Sequence, residues 1–210
     1  MFYPDRLAGA KMLGYYAERL NGVELNGSFY RTPLPETLAG WSRQSPPGFR
    51  FCFKGHRGLT YSGPAFDSEG LARDLGTRLA VLEGRLGPVL VQFPPTRAVD
   101  LARLDGLLGA LGVRTAVEFR DPSWFRDDVY RLLRAHDAAL VVTDQEKWPA
   151  APRLELSSTG YYRLRRDYEP AELERWRREL RSECAGREEL HVYFRHEPQA
   201  PAWAARILEP

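Results

Sequence analysis

Lysine is scarce in this chain: of 30 basic residues among 210, only Lys11, Lys54 and Lys147 are lysines and the rest are arginines. Against 28 acidic residues the formal charge is +2, so no long-range field marks the chain for nucleic acid or an anionic membrane. Cysteine is nearly absent. Cys52 and Cys184 make no CxxC and no framework spacing, which excludes a disulfide scaffold and predicts reduced thiols. No apolar run approaches a membrane span and no basic-then-apolar leader opens the chain, so a cytoplasmic protein without membrane attachment is expected. The chain has no Gly-rich phosphate loop, GxSxG elbow or H-x-x-E-H pair, and His56, His136, His191 and His196 are scattered. No metal and no cofactor are expected.

What is present is a long alternation of strand and helix patterns. At 43% hydrophobic, the chain suffices for one well-buried domain, residues 1–210, and is small for two. Helical spacing runs through 7–20, 35–44, 66–86 with Gly87 as its cap, 101–111, 129–136, 169–184 and 202–208. Strand patterns fall at 23–26, 49–54, 88–93, 114–119, 139–144, 161–164 and 190–194, and 55–63 reads as a polar loop. The stretch Arg114 to Phe125 holds the sharpest conflict, because Val117 and Phe119 face a hydrophobic layer while Glu118 and Arg120 put charge on the opposite face.

Such alternation predicts a parallel sheet with helices outside it. A doubly wound sheet gathers ligand groups at one switch point, whereas a TIM (β/α) barrel collects them from many strand ends. Here Asn26, Lys54, Gln92, Glu118 with Arg120, Asp144, Arg163 and Arg195 each close a strand, which favours the barrel. Strand phase points Glu24, Asn26, Cys52, Lys54, Leu90, Gln92, Glu118, Arg120, Leu140, Asp144, Arg163, Tyr193 and Arg195 inward.

Several strings then carry a resemblance: Tyr15-Tyr16-Ala17-Glu18-Arg19, Val23-Glu24-Leu25-Asn26, Gln92-Phe93-Pro94-Pro95, Val117-Glu118-Phe119-Arg120 with Ser123-Trp124-Phe125, and Tyr162-Arg163-Leu164. In these the chain resembles the YecE-like family, a domain of unknown function numbered 72, over nearly its whole length. The resemblance implies a TIM-barrel fold and a pocket, without an activity. It also implies a strand ahead of Phe2-Tyr3-Pro4 that this sequence does not show, leaving about seven of a barrel's eight strands. Where the family favours Arg-Leu-His-Gly, this chain has Arg163-Leu164-Arg165-Arg166, so the imidazole implied there is missing.

Glu118 and Glu24 are the candidate acid/base groups, because a carboxylate among cations and apolar walls has a movable pKa. The plainer reading pairs Glu118 with Arg120 or another inward arginine. Lys54, Arg120, Arg163 and Arg195 make a candidate anion-binding wall, or else they balance Glu24, Glu118 and Asp144. Schiff-base chemistry at Lys54 has no further support, since plain anion binding uses the same residues. Asn26, Gln92 and Asp144 would orient a substrate or satisfy loop backbone. Tyr30, Trp124, Trp148 and Tyr193 would wall the pocket or pack.

The expected function is an enzyme using acid/base chemistry on a small polar, anionic, sugar-like substrate at the C-terminal ends of the strands, of the metal-independent hydrolase, lyase or isomerase kind. The alternatives are a nucleic-acid or phosphodiester binder and a non-catalytic metabolite-binding barrel. A small-molecule substrate is the expected partner. A homodimer covering the seam of the missing strand is a second.

Overall fold

The computed structural model describes residues 2–63 and 65–209. In chain order the elements are α1 (Gly9–Ala17), β1 (Gly22–Leu25), α2 (Pro35–Gln44), β2 (Arg50–Lys54), α3 (Ser68–Leu79), β3 (Leu86–Phe93), α4 (Leu101–Leu111) and β4 (Thr115–Phe119). There follow α5 (Asp127–Ala135), β5 (Ala139–Leu140), β6 (Val142–Thr143), β7 (Thr159–Leu164), α6 (Pro170–Cys184), β8 (Glu189–Phe194) and α7 (Ala200–Leu208). Every strand pairing is parallel. One sheet has the order β1-β2-β3-β4-β5 and the other β6-β7-β8. The fold is thus α/β with parallel sheets, and the sheets do not close: among the described residues no ladder joins β1 to β8.

Period-two alternation explains the layering. Phe49, Phe51 and Phe53 lead into and along β2 and, with Val89, Val91, Phe93, Val117 and Phe119, bury one face of the larger sheet against leucines of α2, α3, α4 and α5. Tyr162 and Leu164 do the same for the smaller sheet against Leu173, Trp176 and Leu180 of α6. The opposite face holds a smaller cluster of Cys52, Leu90, Ala116, Ala139, Val141 and Tyr161. Small and aromatic side chains fill that narrow inner space, and charged ones gather beyond them.

The strand expected over 139–144 is broken. Val141 separates β5 from β6, its N–H still reaching the Val117 carbonyl at 2.9 Å. Its phase also corrects the sequence reading: Ala139 and Val141 face inward, whereas Leu140 packs in the outer core. Continuous apolar runs leave phase undetermined, because both faces look alike. Asp144 shares the outer phase with Leu140 and Val142.

Three other expectations change. The helix expected to reach Leu86 ends at Leu79 and continues as a 3-10 segment, Ala80–Arg85. Gly87 is not its cap but lies inside β3, where a Cβ would stand 2.4 Å from Cys52 Sγ; glycine serves there for close approach. The loop at 55–63 contains a 3-10 turn, Arg57–Leu59, whose Gly58 and Leu59 are buried. As expected, no helix lies in residues 144–158 between β6 and β7, and Leu156 of that segment is buried in the outer core.

Candidate functional site

The register brings Gln92 directly opposite Glu118, and Arg163 between Thr143 and Tyr193. Glu118, only 1% exposed, spends both carboxylate oxygens on neighbours. Gln92 Nε2 donates to Oε1 at 2.7 Å, Arg120 Nε donates to the same oxygen at 2.9 Å, and Arg163 Nη1 donates to Oε2 at 2.5 Å. Arg163 then reaches across to β1, where Nη2 donates to Glu24 Oε1 at 2.7 Å. Glu24 is completed by Asn26 Nδ2 at 3.3 Å and by the Tyr161 hydroxyl, which donates to Oε2 at 2.8 Å. One buried guanidinium, on β7 of the smaller sheet, clamps two carboxylates from β1 and β4 of the larger one.

Burial alone would raise the Glu118 carboxyl, but Arg163 and Arg120 outweigh it and hold its pKa below the ordinary value. Burial likewise disfavours charge on Arg163, and Glu24 with Glu118 more than reverse this, raising its pKa. Glu118 and Arg163 are therefore both held in their charged forms, and Glu118 is a poor proton acceptor as arranged.

Two further cations stand beside the clamp without a carboxylate of their own. Lys54, half-buried at the C-terminal end of β2, makes no ion pair among the described residues, and its Nζ lies 4.3 Å from the centre of the Phe29 ring. Burial first, then Arg163 and Arg120, bring its amine down to about 8. The Arg165 guanidinium is in the same position: burial and then Arg163 lower its pKa, against the pull of Glu24 and Glu118. Arg120 also lies over the Trp148 ring, 4.9 Å from its centre. Four cations, Lys54, Arg120, Arg163 and Arg165, thus share two carboxylates, Glu24 and Glu118. On the same face the Thr143 hydroxyl and Arg163 Nε are buried with no hydrogen-bond partner among the described residues.

Of the residues expected here, Glu24, Asn26, Lys54, Gln92, Glu118, Arg120 and Arg163 come together. Others do not join them. Asp144, on the outer phase, takes the Arg165 backbone N–H at 2.6 Å and the Tyr168 hydroxyl, and pins the loop after β7. Arg195 pairs with Asp167 at 3.2 Å and Glu197 at 3.0 Å. Trp124 is fully buried in the outer core, stacked on Phe119 at 4.5 Å with its indole N–H on the Arg97 carbonyl at 2.7 Å; it lines no inner surface. Tyr30 is 70% exposed. Tyr161 and Arg165 went unrecognised, although the i, i+2 spacing Tyr161, Arg163, Arg165 was there to be extended along β7.

The opposite end of the inner face is organised differently. The Tyr193 hydroxyl donates to Cys52 Sγ at 2.9 Å, and His191 stands 3.7 Å from that sulfur. His191 Nε2 meets Glu189 Oε2 at 3.0 Å, and Arg50 grips Glu189 Oε1 through Nε and Nη2 at 2.9 and 2.6 Å. Arg114 adds pairs to Glu188 at 2.8 Å and Glu189 at 3.5 Å. The hydrogen bond from His191, helped by Arg50, takes the Glu189 carboxyl down to about 2, while burial pushes the Cys52 thiol far up. Such a thiol is inert at neutral pH. Here two arginines meet two glutamates.

Comparison with known proteins agrees with the α/β fold. The sequence model of the family described as "Protein of unknown function DUF72" matches residues 1–209. The UPF0759 protein YecE of Escherichia coli (strain K12) is 32% identical over 120 residues, which cover 56% of this chain and 44% of that protein. The matched stretch is thus less than half of the curated relative. A crystal structure of a DUF72 family protein from Thermotoga maritima MSB8 superposes with a TM-score of 0.81 at 25% identity, covering 98% of this chain and 90% of that one. One from Enterococcus faecalis V583 gives 0.80 at 21%, covering 95% and 92%. With its whole described length matched and the strand ends built as above, the chain belongs to the DUF72 family of proteins of unknown function.

Proposed function

We propose that the C-terminal ends of the strands form a binding and reaction site for a small polar molecule carrying a phosphate or carboxylate, on a TIM-type barrel lacking one ladder. The five-stranded sheet leads into the three-stranded one through Val141, whose N–H bonds the Val117 carbonyl of β4. Across the unpaired seam, Arg163 and Tyr161 of β7 hold Glu24 of β1. These side-chain bridges support the barrel reading.

The surplus of positive charge carries the functional reading. Glu24 and Glu118 are already neutralised by Arg163 and Arg120, so Lys54 and Arg165 are left for an anion from outside. Arginine forks and a lysine point charge are the groups suited to phosphate and carboxylate. Proton transfer or bond cleavage next to that anion fits hydrolase, lyase or isomerase chemistry, with Glu24 and Glu118 setting the place of Arg163. Acid/base work by Glu118 itself requires Arg163 to let go of an oxygen when substrate arrives.

Inorganic phosphate, citrate and small sugar phosphates are the probes. Ligand bound only by the folded state stabilises by about 2.7 kcal/mol at a hundredfold excess over Kd. Stabilisation by at least one of them, reduced in Arg165→Gln and kept in Arg195→Gln, is the expected result. Binding without turnover of any compound would make the site a metabolite sensor, and equal effects in both variants would remove it from this end of the strands.

A further inference from the structure

We infer that Lys54 is the reacting group of this site, an amine placed to capture the carbonyl carbon of a small aldehyde, ketone or oxo-acid whose phosphate or carboxylate is held by Arg165 and Arg120. The inference rests on the anion-site reading above and names the substrate class within it: a carbonyl compound with an anionic group.

Four observations lead there. First, the two carboxylates have no free oxygen, since each is held by at least one arginine and a neutral donor. Second, the lysine is positioned from its backbone. Ser28 Oγ donates to the Lys54 carbonyl at 2.7 Å and to the Leu25 carbonyl at 2.8 Å, tying the end of β2 to the Gly27–Phe29 turn that supplies the ring beneath Nζ. Third, Nζ makes no ion pair among the described residues, although Glu24 and Glu118 lie on the same inner face. An amine kept for charge balance would be expected to pair with one of them. Fourth, burial first and then its neighbours Arg163 and Arg120 disfavour its protonated form, and a neutral amine is what nucleophilic attack needs.

The step balances without an oxidant or a metal. The Nζ lone pair forms a C–N bond to the carbonyl carbon while the C=O π pair moves to oxygen. Two proton transfers later, that oxygen leaves as water, and an iminium remains with one proton taken up overall from solvent. Its positive charge withdraws electrons from the adjacent carbon, which is the use of such an intermediate in lyase and isomerase chemistry.

The scarcity of lysine makes the test clean. The full chain is incubated at neutral pH with sodium cyanoborohydride and either pyruvate or acetone, then digested, and adducts at Lys11, Lys54 and Lys147 are quantified by mass spectrometry. Hydride addition to the iminium carbon fixes the adduct as a secondary amine. Lys54 is expected to react with pyruvate about tenfold or more faster than the other two, tenfold being the factor for one pKa unit. That preference should fall in Arg165→Gln and under competing phosphate, and Lys54→Arg should lose the adduct while still binding phosphate. Labelling of Lys54 no faster than Lys11 and Lys147, with phosphate binding intact, would overturn the inference and leave the anion site standing. Preferential labelling by acetone and pyruvate alike, insensitive to phosphate, would sustain a reactive Lys54 and overturn the anion site. Absence of both labelling and phosphate binding would overturn both.

Discussion

The two ends of the inner face use the same residue types to opposite effect. At the N-terminal end Arg50 and Arg114 meet Glu188 and Glu189, with His191, Tyr193 and Cys52 closing the network above them. At the C-terminal end Arg163 clamps Glu24 and Glu118, and Lys54 and Arg165 remain over. Balance fits a structural role at the first end. At the second, the proposed ligand would supply the missing negative charge.

Removing the central arginine should show the difference most strongly. Arg163→Met leaves two buried carboxylates without their shared cation, and breaking a buried pair in this way costs about 3–5 kcal/mol. Arg50→Met, at a partly exposed pair, should cost about 1 kcal/mol or less. Urea denaturation of the two variants measures both, and equal losses would erase the contrast between the ends.

Acid should act on both ends through different residues. Carboxylates with lowered folded-state pKa stabilise fully above their ordinary value of 4.5, and that contribution is lost as pH falls through the folded value. For Glu189 the window runs from 4.5 down to about 2. The stability difference between wild type and Glu189→Gln should therefore shrink across that range, as read from urea midpoints at successive pH values. A difference constant with pH would mean that Glu189 is not ionically held.

At the C-terminal end alkali should act through Lys54, with the smallest effect. Lys54 has a depressed folded-state pKa, so the folded protein binds fewer protons between about 8 and 10.5 and stability rises with pH in that window. Below pH 8 the penalty is present in full. Lys54→Met should then be slightly more stable than wild type at neutral pH, with the advantage fading as pH approaches 10.5.

Much of this contrast was legible beforehand, because strand phase is a local property wherever polar and apolar residues alternate. Phe49, Arg50, Phe51, Cys52, Phe53 and Lys54 fix their own faces, and so do Val117, Glu118 and Phe119. Phase failed at Ala139 to Asp144, because the apolar run Ala139 to Val142 does not mark an inner face, and Asp144 went inward in expectation but outward in the structure. Which inward groups pair could not be read at all. The contact between Arg163 and Glu24 spans 139 residues and depends on how β7 and β1 face each other across a seam with no ladder. Trp124 was misplaced for a related reason: an aromatic just past a strand can fold over either face, and the stack on Phe119 decided it.

The surplus charge is tested most directly by titrating the lysine side chains, labelled at Cε, by NMR with and without phosphate. Three lysines give three resolvable signals. The account predicts a Lys54 midpoint near 8 without phosphate, moving upward as phosphate binds and supplies the missing negative charge. A Lys54 midpoint at the ordinary 10.5, unmoved by phosphate, would contradict it.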